Sequence, residues 1–350
     1  MTALRTCRLA LVIALLGAIA NVFAVPGYAC ACGAVIARQG EQATMNHEVA
    51  LVHWDGTTET VVMQLALNAT TDNVALVVPT PTPATVTAGE KATFEELDSL
   101  SAPQAQHQRR VRFGFALSHS APSEGAIGAR PPEVVNQVHL GPLEATTLAG
   151  GDLTGLKKWL ADNGYSIKPA VLDALGPYVR DGWAFVAMRL TSTAPIVGGL
   201  SPVRMTFPSS QLVYPMRVSV AATGAQRVTV FTLSDHRQQR TDADAVKQST
   251  EVQFASNVLG AVHDPLLREL AANHGPYLTK LAVNIPKPVQ ISSDFGFGNA
   301  PNDDALRQTV VVYDYIDIPL ELIVFAGLVV AGIVAVILFA VRRRRRRTFA

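Results

Sequence analysis

Cysteine is scarce in this 350-residue chain: Cys7, Cys30 and Cys32 are all it has. That scarcity excludes a disulfide-framed scaffold, and no C-x-x-C pair or Cys/His cluster offers zinc-site spacing. The signatures of common catalytic sites are missing as well, among them G-x-S-x-G, H-E-x-x-H and the glycine-rich phosphate loop. Asp294-Phe295-Gly296 spells the metal-binding tripeptide of kinases, but no H-R-D, glycine-rich loop or strand lysine accompanies it, so the match is chance. His47 and His53 sit beside Glu48 and Asp55. On a strand their six-residue separation covers about 20 Å, too far to share one metal, and both read as surface histidines. No cofactor or metal site is expected, and no residue is assigned a catalytic role.

Charge is also sparse, with Asp, Glu, Lys and Arg together making 16% of the chain. The overall balance of +1 hides an asymmetry. Of 29 Lys and Arg, two lie in residues 1–29 and six in a terminal run, leaving 21 against 27 Asp and Glu in 30–318, or about −6. An acidic middle without a basic, aromatic-interleaved patch argues against nucleic acid as a partner.

What the chain does have is a long apolar run. Leu322–Val341 is uncharged for twenty residues, and six arginines, Arg342, Arg343, Arg344, Arg345, Arg346 and Arg347, follow at once. Twenty helical residues rise about 30 Å, the thickness of the bilayer hydrocarbon. The arginines would set the orientation by staying cytoplasmic. No L-P-x-T-G precedes the run, so the anchor is expected to be retained. Gly327, Ala331 and Ala335 recur every four residues and form a candidate helix-pairing stripe, through which the chain could form a homo-oligomer.

At the other end, Arg5 and Arg8 precede the apolar run Leu9–Ala20, and Gly27-Tyr28-Ala29 places small residues for a signal peptidase. A signal peptide over 1–29 is expected, with a retained second anchor and lipidation of Cys30 as the alternatives. Cys30 and Cys32 would then open the mature chain as C-A-C. Outside the cytoplasm a disulfide between them is one reading; a redox couple or metal ligand is the other, without supporting spacing. Asn68-Ala69-Thr70 fits a glycosylation sequon by chance.

The stretch 30–318 reads as α+β, a β-rich ectodomain with a short helical insert, ahead of the transmembrane helix at 319–341 and the tail at 342–350. Two-residue alternation predicts strands over Arg110–Leu117, over Val203, Met205 and Phe207, and over Met216, Val218 and Val220. Further strands are expected at 61–67, 74–78, 183–190, 228–233 and 310–315, with the prolines after Val78 ending their strand. The helical insert is expected from an Asp152 cap through Leu153, Leu156 and Leu160 to Gly164. A second short helix from Pro169 is expected to break at Gly176-Pro177, and a third to start at Asp264-Pro265. Residues 292–304 read as a loop, with one strand between it and the membrane.

Several segments together resemble the uncharacterised DUF2330 family of secreted, membrane-anchored bacterial proteins. They are Cys30-Ala31-Cys32-Gly33; Asn73 to Pro81 with its V-P-x-P ending, then Phe94 to Leu97 and Ala102-Pro103; Leu156 to Tyr165, then Tyr178, Gly182-Trp183 and Phe185-Val186; Tyr214-Pro215-Met216-Arg217; and Tyr277 to Leu281. The chain departs from the family pattern in lacking a further cysteine after Gly33 and in reading Asp294-Phe295-Gly296-Phe297 where Asp-Pro-x-Phe is usual. The resemblance implies an envelope location and a mixed α+β ectodomain, and brings no activity with it. Its shared positions are packing and turn types.

Two function classes follow. One is a non-enzymatic, membrane-tethered module that binds a ligand, a wall polymer or another envelope or membrane protein; the rival is an envelope hydrolase assembled from distant segments. The topology is directly testable. A cysteine placed near Gly296 should react with an impermeant thiol reagent in intact cells while one at Thr348 stays protected, and the reverse labelling would overturn the orientation.

Overall fold

The computed structural model describes residues 34–37, 43–44, 47–65, 68–69, 74–114, 139–140, 143–148, 153–190 and 201–347. Its contacts divide the chain into two units, one of Met1–Ala102 with Asn136–Gln308 and one of Pro103–Val135 with Thr309–Ala350. The described residues are mostly strand, with five helices, an α+β chain.

In the first unit, β1 (Ala34–Ala37) and β2 (Ala43–Thr44) precede the hairpin of β3 (His47–Trp54) and β4 (Thr58–Leu65). Then come β5 (Asn68–Ala69), β6 (Val74–Thr80), β7 (Thr85–Ala88) and helix α1 (Lys91–Leu100). The chain passes into the second unit as β8 (Gln104–Gly114) and returns as β9 (His139–Leu140) and β10 (Leu143–Leu148). Helices α2 (Thr154–Asp162) and α3 (Pro169–Arg180) follow, then β11 (Ala184–Leu190), β12 (Val203–Pro208), β13 (Val213–Tyr214) and a 3₁₀ turn at Arg217–Ala221. Next are β14 (Gln226–Ser234), β15 (Gln238–Arg240), β16 (Ser249–Asn257), α4 (Pro265–Ala272), β17 (Tyr277–Ile285), β18 (Phe295–Asn299) and β19 (Leu306–Arg307). The chain finishes in the second unit with β20 (Thr309–Pro319) and α5 (Leu320–Arg347).

Two large sheets organise the first unit. One runs β1-β6-β11-β10-β9, the other β19-β16-β17-β14-β3-β4-β12-β7, antiparallel throughout except where β14 runs parallel to β3. Alternation along each strand decides what lies between them. Ala50, Val52, Val61, Met63, Met205 and Val230 of the larger sheet share one core with Val35, Val74, Leu76, Val78 and Met188 of the smaller. Their sequence neighbours point the other way. Leu51, Val62, Phe231 and Leu278 pack under Phe94 and Leu97 of α1 and Leu267 and Leu270 of α4. Ala75, Val77, Phe185 and Ala187 pack under Leu156 and Leu160 of α2 and Leu175 and Tyr178 of α3. The result is four layers, helix–sheet–sheet–helix. The central strands are buried on both faces, which is why β6 is apolar from Val74 to Pro79.

The local signals act where expected in several places. Asp264 caps α4, its side chain accepting from Leu267 N at 3.0 Å, and Pro265 holds the first helical position. Gly164 leaves α2 with φ 79°, the left-handed turn that glycine permits. Asp152 lies outside the described residues, and the position before α2 is Leu153. Gly176-Pro177 does not break α3, which runs on to Arg180. Burial of Val171, Ala174, Leu175 and Tyr178 on one face outweighs the hydrogen bond that Pro177 removes so near the helix end. Met216, Val218 and Val220 do not form a strand. Met216 goes to the inter-sheet core and Val218 to the helical one, and the backbone between them turns. Residues 292–304 are not only a loop, since β18 pairs with both β13 and β15.

The second unit is a two-stranded parallel ribbon, β8 with β20 in register from Thr309↔Gln104 to Pro319↔Gly114. Both strands outrun the sequence expectation, and residues 115–117 lie outside the described residues. At Leu320 the chain passes directly into α5, whose stretch Phe325–Arg342 has mean hydropathy 2.5 and is wholly unburied, long and apolar enough to cross a membrane.

Leu160 is 1% exposed in the helical core, while Trp159 is partly buried beside it. Leu160→Ala should therefore cost about 2–5 kcal/mol, a large share of a typical total of about 5–15. Thermal melting of the detergent-solubilised chain measures it, and an unchanged midpoint would contradict this packing.

Candidate functional site

The site forms where the helical layer meets the small sheet β13-β18-β15. Asp294 is its centre. Its Oδ1 accepts from Tyr178 Oη at 2.5 Å, Met216 N at 2.7 Å and Arg217 N at 2.9 Å, and its Oδ2 accepts from Arg217 Nε at 2.7 Å. The two backbone donors belong to the start of the 3₁₀ turn, so a carboxylate 77 residues downstream decides that this segment turns. Arg217 also donates to Asp181 Oδ2 at 2.7 Å, and its Cζ stands 4.4 Å from the Tyr178 ring centroid and 5.6 Å from that of Trp183. Burial weakens the Arg217 cation, but Asp294 and Asp181 outweigh it and raise its pKa. Burial, followed by the Asp294 charge, pushes the Tyr178 hydroxyl well above its usual range.

Two further carboxylates anchor the chain just before Asp294. Asp242 takes Arg240 in a fork, Oδ2 from Nε at 2.9 Å and Oδ1 from Nη2 at 2.7 Å, with both side chains buried. Asp244 accepts from Ser292 N at 2.7 Å, Ser292 Oγ at 2.6 Å, Ser293 N at 3.0 Å and Lys247 Nζ at 3.0 Å. Burial alone would raise its pKa; these four donors, Ser292 first, hold it far below the usual carboxylate range. β18 lies tight against this anchor, since a Cβ on Gly298 would stand 2.9 Å from Thr241 Cγ2. Only glycine allows that approach.

Over this framework opens a cleft of about 500 Å³, lined by Asp181, Trp183, Gln211, Arg217, Thr241 and Asp294 among others. A second hollow of about 360 Å³ shares Arg217 and Ser292 with it and is walled by Ala174, Pro177, Val220 and Ile291. Trp183 is half-buried and tilted on Tyr178 at 5.0 Å, held by Gly182 at φ 74° and by Trp183 N donating to Tyr178 O at 2.9 Å. Gln211 and Thr241 are exposed members of the same lining.

The inter-sheet core below β13 carries two fully buried glutamates. Glu48 meets Tyr214 Oη, and Glu59 Oε1 accepts from Val213 N at 3.1 Å. Burial pushes the Glu59 carboxyl well above 4.5.

The residues singled out in the sequence lie elsewhere. Cys30 and Cys32 fall outside the described residues. The DFG-like tripeptide is drawn into the site, but Asp294 acts as a hydrogen-bond anchor and Phe295 is core. His47 is exposed, whereas His53 is buried, its Nε2 2.5 Å from Asn273 O, with burial lowering its pKa; the expectation of a surface histidine fails there. Among the described residues no group of three or more His, Cys, Asp or Glu is arranged to hold a metal. Asp181 and Asp244 carried no sequence signal because Arg217 and Ser292, which they bind, lie tens of residues away; Asp242 binds Arg240 two residues upstream, a spacing that marks no site by itself.

A four-layer α+β chain with a candidate membrane helix and a polar cleft at its sheet edge is the class these features define. The chain belongs to the DUF2330 family, described as an uncharacterised protein conserved in bacteria, whose model matches residues 26–298. Among solved structures it is similar to baculovirus P35, at 8% identity with a TM-score of 0.37 over 74% of this chain and 97% of that one. A mutated P35 after caspase cleavage aligns at 10% identity and TM-score 0.35, over 72% and 99%. Scores this low carry no argument about fold or function. No curated protein matches the chain.

Glu59 generates a pH prediction. The folded chain holds this proton more tightly than the unfolded one, so the stabilisation is complete below about 4.5, the ordinary value, and is lost as pH rises towards the folded value. Glu59→Gln, which stays neutral, should raise the melting temperature relative to the parent more at pH 8 than at pH 5. An equal shift at the two pH values would mean that Glu59 is not held protonated.

Proposed function

We propose that this chain is a single-pass, membrane-tethered binding module of the bacterial cell envelope, with its first unit outside the membrane and the Trp183–Arg217 cleft taking a neutral saccharide segment of a wall polymer. The apolar length of α5 and the arginines after it support the tether. The lining of the cleft supports the ligand class. An indole face at one wall suits a pyranose ring, and Gln211, Thr241 and Arg217 offer hydroxyl-scale hydrogen bonds around it.

One observation carries the reading: two of the three carboxylates that line the cleft, Asp242 and Asp294, are already committed, and the third, Asp181, is paired with Arg217. Asp294 and Asp242 spend their oxygens on backbone and arginine donors, which suits a rigid wall and leaves neither poised as a nucleophile or general base. Counting Asp181, Asp242, Asp244 and Asp294 against Arg217, Arg240 and Lys247, the neighbourhood is about one charge negative, which disfavours an anionic polymer.

Calorimetric titration of the purified chain with solubilised neutral wall oligosaccharides tests this. Gln211→Ala and Thr241→Ala, both at exposed side chains of the lining, should each weaken binding about 2- to 13-fold, the effect of losing one hydrogen bond of about 0.5–1.5 kcal/mol, with the fold retained. Binding that ignores both, or turnover of the saccharide, would sink the reading, and turnover would put a hydrolase in its place.

A further inference from the structure

Among its described residues, the second unit has a feature left uncompleted. β8 and β20 pair over eleven positions, yet each described side chain along Gln104–Arg110 and Thr309–Ile316 is exposed. Val310 and Val312 project from one face of β20 and Val311, Tyr313 and Tyr315 from the other, each at least 38% exposed. Parallel sheets are ordinarily buried on both faces, and a two-stranded ribbon is marginal alone. Each strand also has a second edge, a row of backbone donors and acceptors that invites another strand.

Charge indicates which strand. Along its length β8 carries Arg109, Arg110 and Arg112 and no acid; β20 carries Asp314 and Asp317 and no base. Within the chain the register sets Asp314 opposite Arg109 and Asp317 opposite Arg112. His107 Nδ1 lies 3.1 Å from Asp314 Oδ2, and the Arg110 guanidinium sits 4.0 Å over the Tyr313 ring. The acidic strand of one copy is therefore complementary to the basic strand of another. Like-with-like pairing, β20 on β20 or β8 on β8, would set equal charges face to face, which is unfavourable in a sheet.

The tether decides direction. β20 enters α5 at Leu320 without a break, so copies sharing a membrane present this strand at one height and in one sense. An antiparallel partner from another copy would have to be inverted. We infer that copies of this chain associate head-to-tail, the free edge of β20 on one taking the free edge of β8 on the next in parallel register, as a closed ring about an axis normal to the membrane. The inference rests on α5 spanning the membrane and is independent of the saccharide reading. The stripe of Gly327, Ala331 and Ala335 on α5 plays no part in it.

Two differently tagged full-length chains test it in native membranes, one carrying Gln106→Cys and the other Val311→Cys, positions that are register partners. Oxidation with copper phenanthroline should bridge unlike tags at least tenfold more than either variant with itself, over the background of the parent chain. Dominant like-with-like bridging, or none, overturns the inference. Exchanging the charges by Arg109→Asp with Asp314→Arg in one chain keeps each copy internally paired. Such chains should co-purify with one another and not with the parent, a segregation that mere loss of folding cannot produce; free mixing would also overturn it. Carbonate extraction reports separately on the tether, since a chain released from the membrane fails that premise and not the strand pairing.

Discussion

The first unit depends on one constraint: two sheets stacked face to face, each with a helical layer on its outer side, so that successive residues of the central strands are apolar in both directions. Ala50, Leu51 and Val52 illustrate it, the outer two facing the opposing sheet and the middle one facing α1 and α4. Water is excluded from both faces of the backbone ladder, and packing loss anywhere in the stack is felt by two cores at once. The same arrangement makes buried polar groups costly, and Glu48 and Glu59 occur where Tyr214 and the Val213 amide can receive them.

Where the layers end, polar chemistry takes over from apolar packing. The segment 292–294 surfaces between two residues of the inter-sheet core, Ile291 and Phe295, and carboxylates meet its polar groups. Asp244 holds its first two amides, Asp242 fixes Arg240, and Asp294 reaches across to the 3₁₀ turn and to Tyr178 of α3. Each of these aspartates would be expensive to bury alone; each is stabilised by donors that the fold brings to it. A rigid rim results, and the cleft above it inherits that rigidity. The binding proposed for this cleft rests on Asp242 and Asp294 being occupied in this way.

The second unit follows other rules. Among its described residues the ribbon has hydrogen bonds but no core, and apolar side chains on both faces of β20 remain in contact with solvent. In the association proposed for this unit, α5 would hold the strand at a fixed height and so raise its local concentration of partners without any new contact.

Much of this was legible locally. Alternation located β8, β12 and β14, the Asp264-Pro265 cap located α4, and twenty uncharged residues before six arginines located α5, because each signal is carried by neighbours in the chain. Four readings failed for a common reason. Residues 216–220 alternate like a strand, 292–304 look like a loop, Gly176-Pro177 looks like a stop and His53 looks like a surface residue; in each case a partner distant in sequence overrode the local preference. Helix α1, which carries Phe94 and Leu97 into a core, had no cap to announce it, since Glu90 makes no side-chain capping bond. By itself, then, the sequence determined most of the periodic elements, the long apolar run of α5 and the asymmetry of charge, which are properties of adjacent residues. Only the tertiary structure decided the four-layer stack, the joining of Tyr178, Asp181, Arg217 and Asp294 into one site, and the pairing of β8 with β20, because hydrogen bonds and burial between segments as far apart as residues 104 and 309 leave no trace in local spacing.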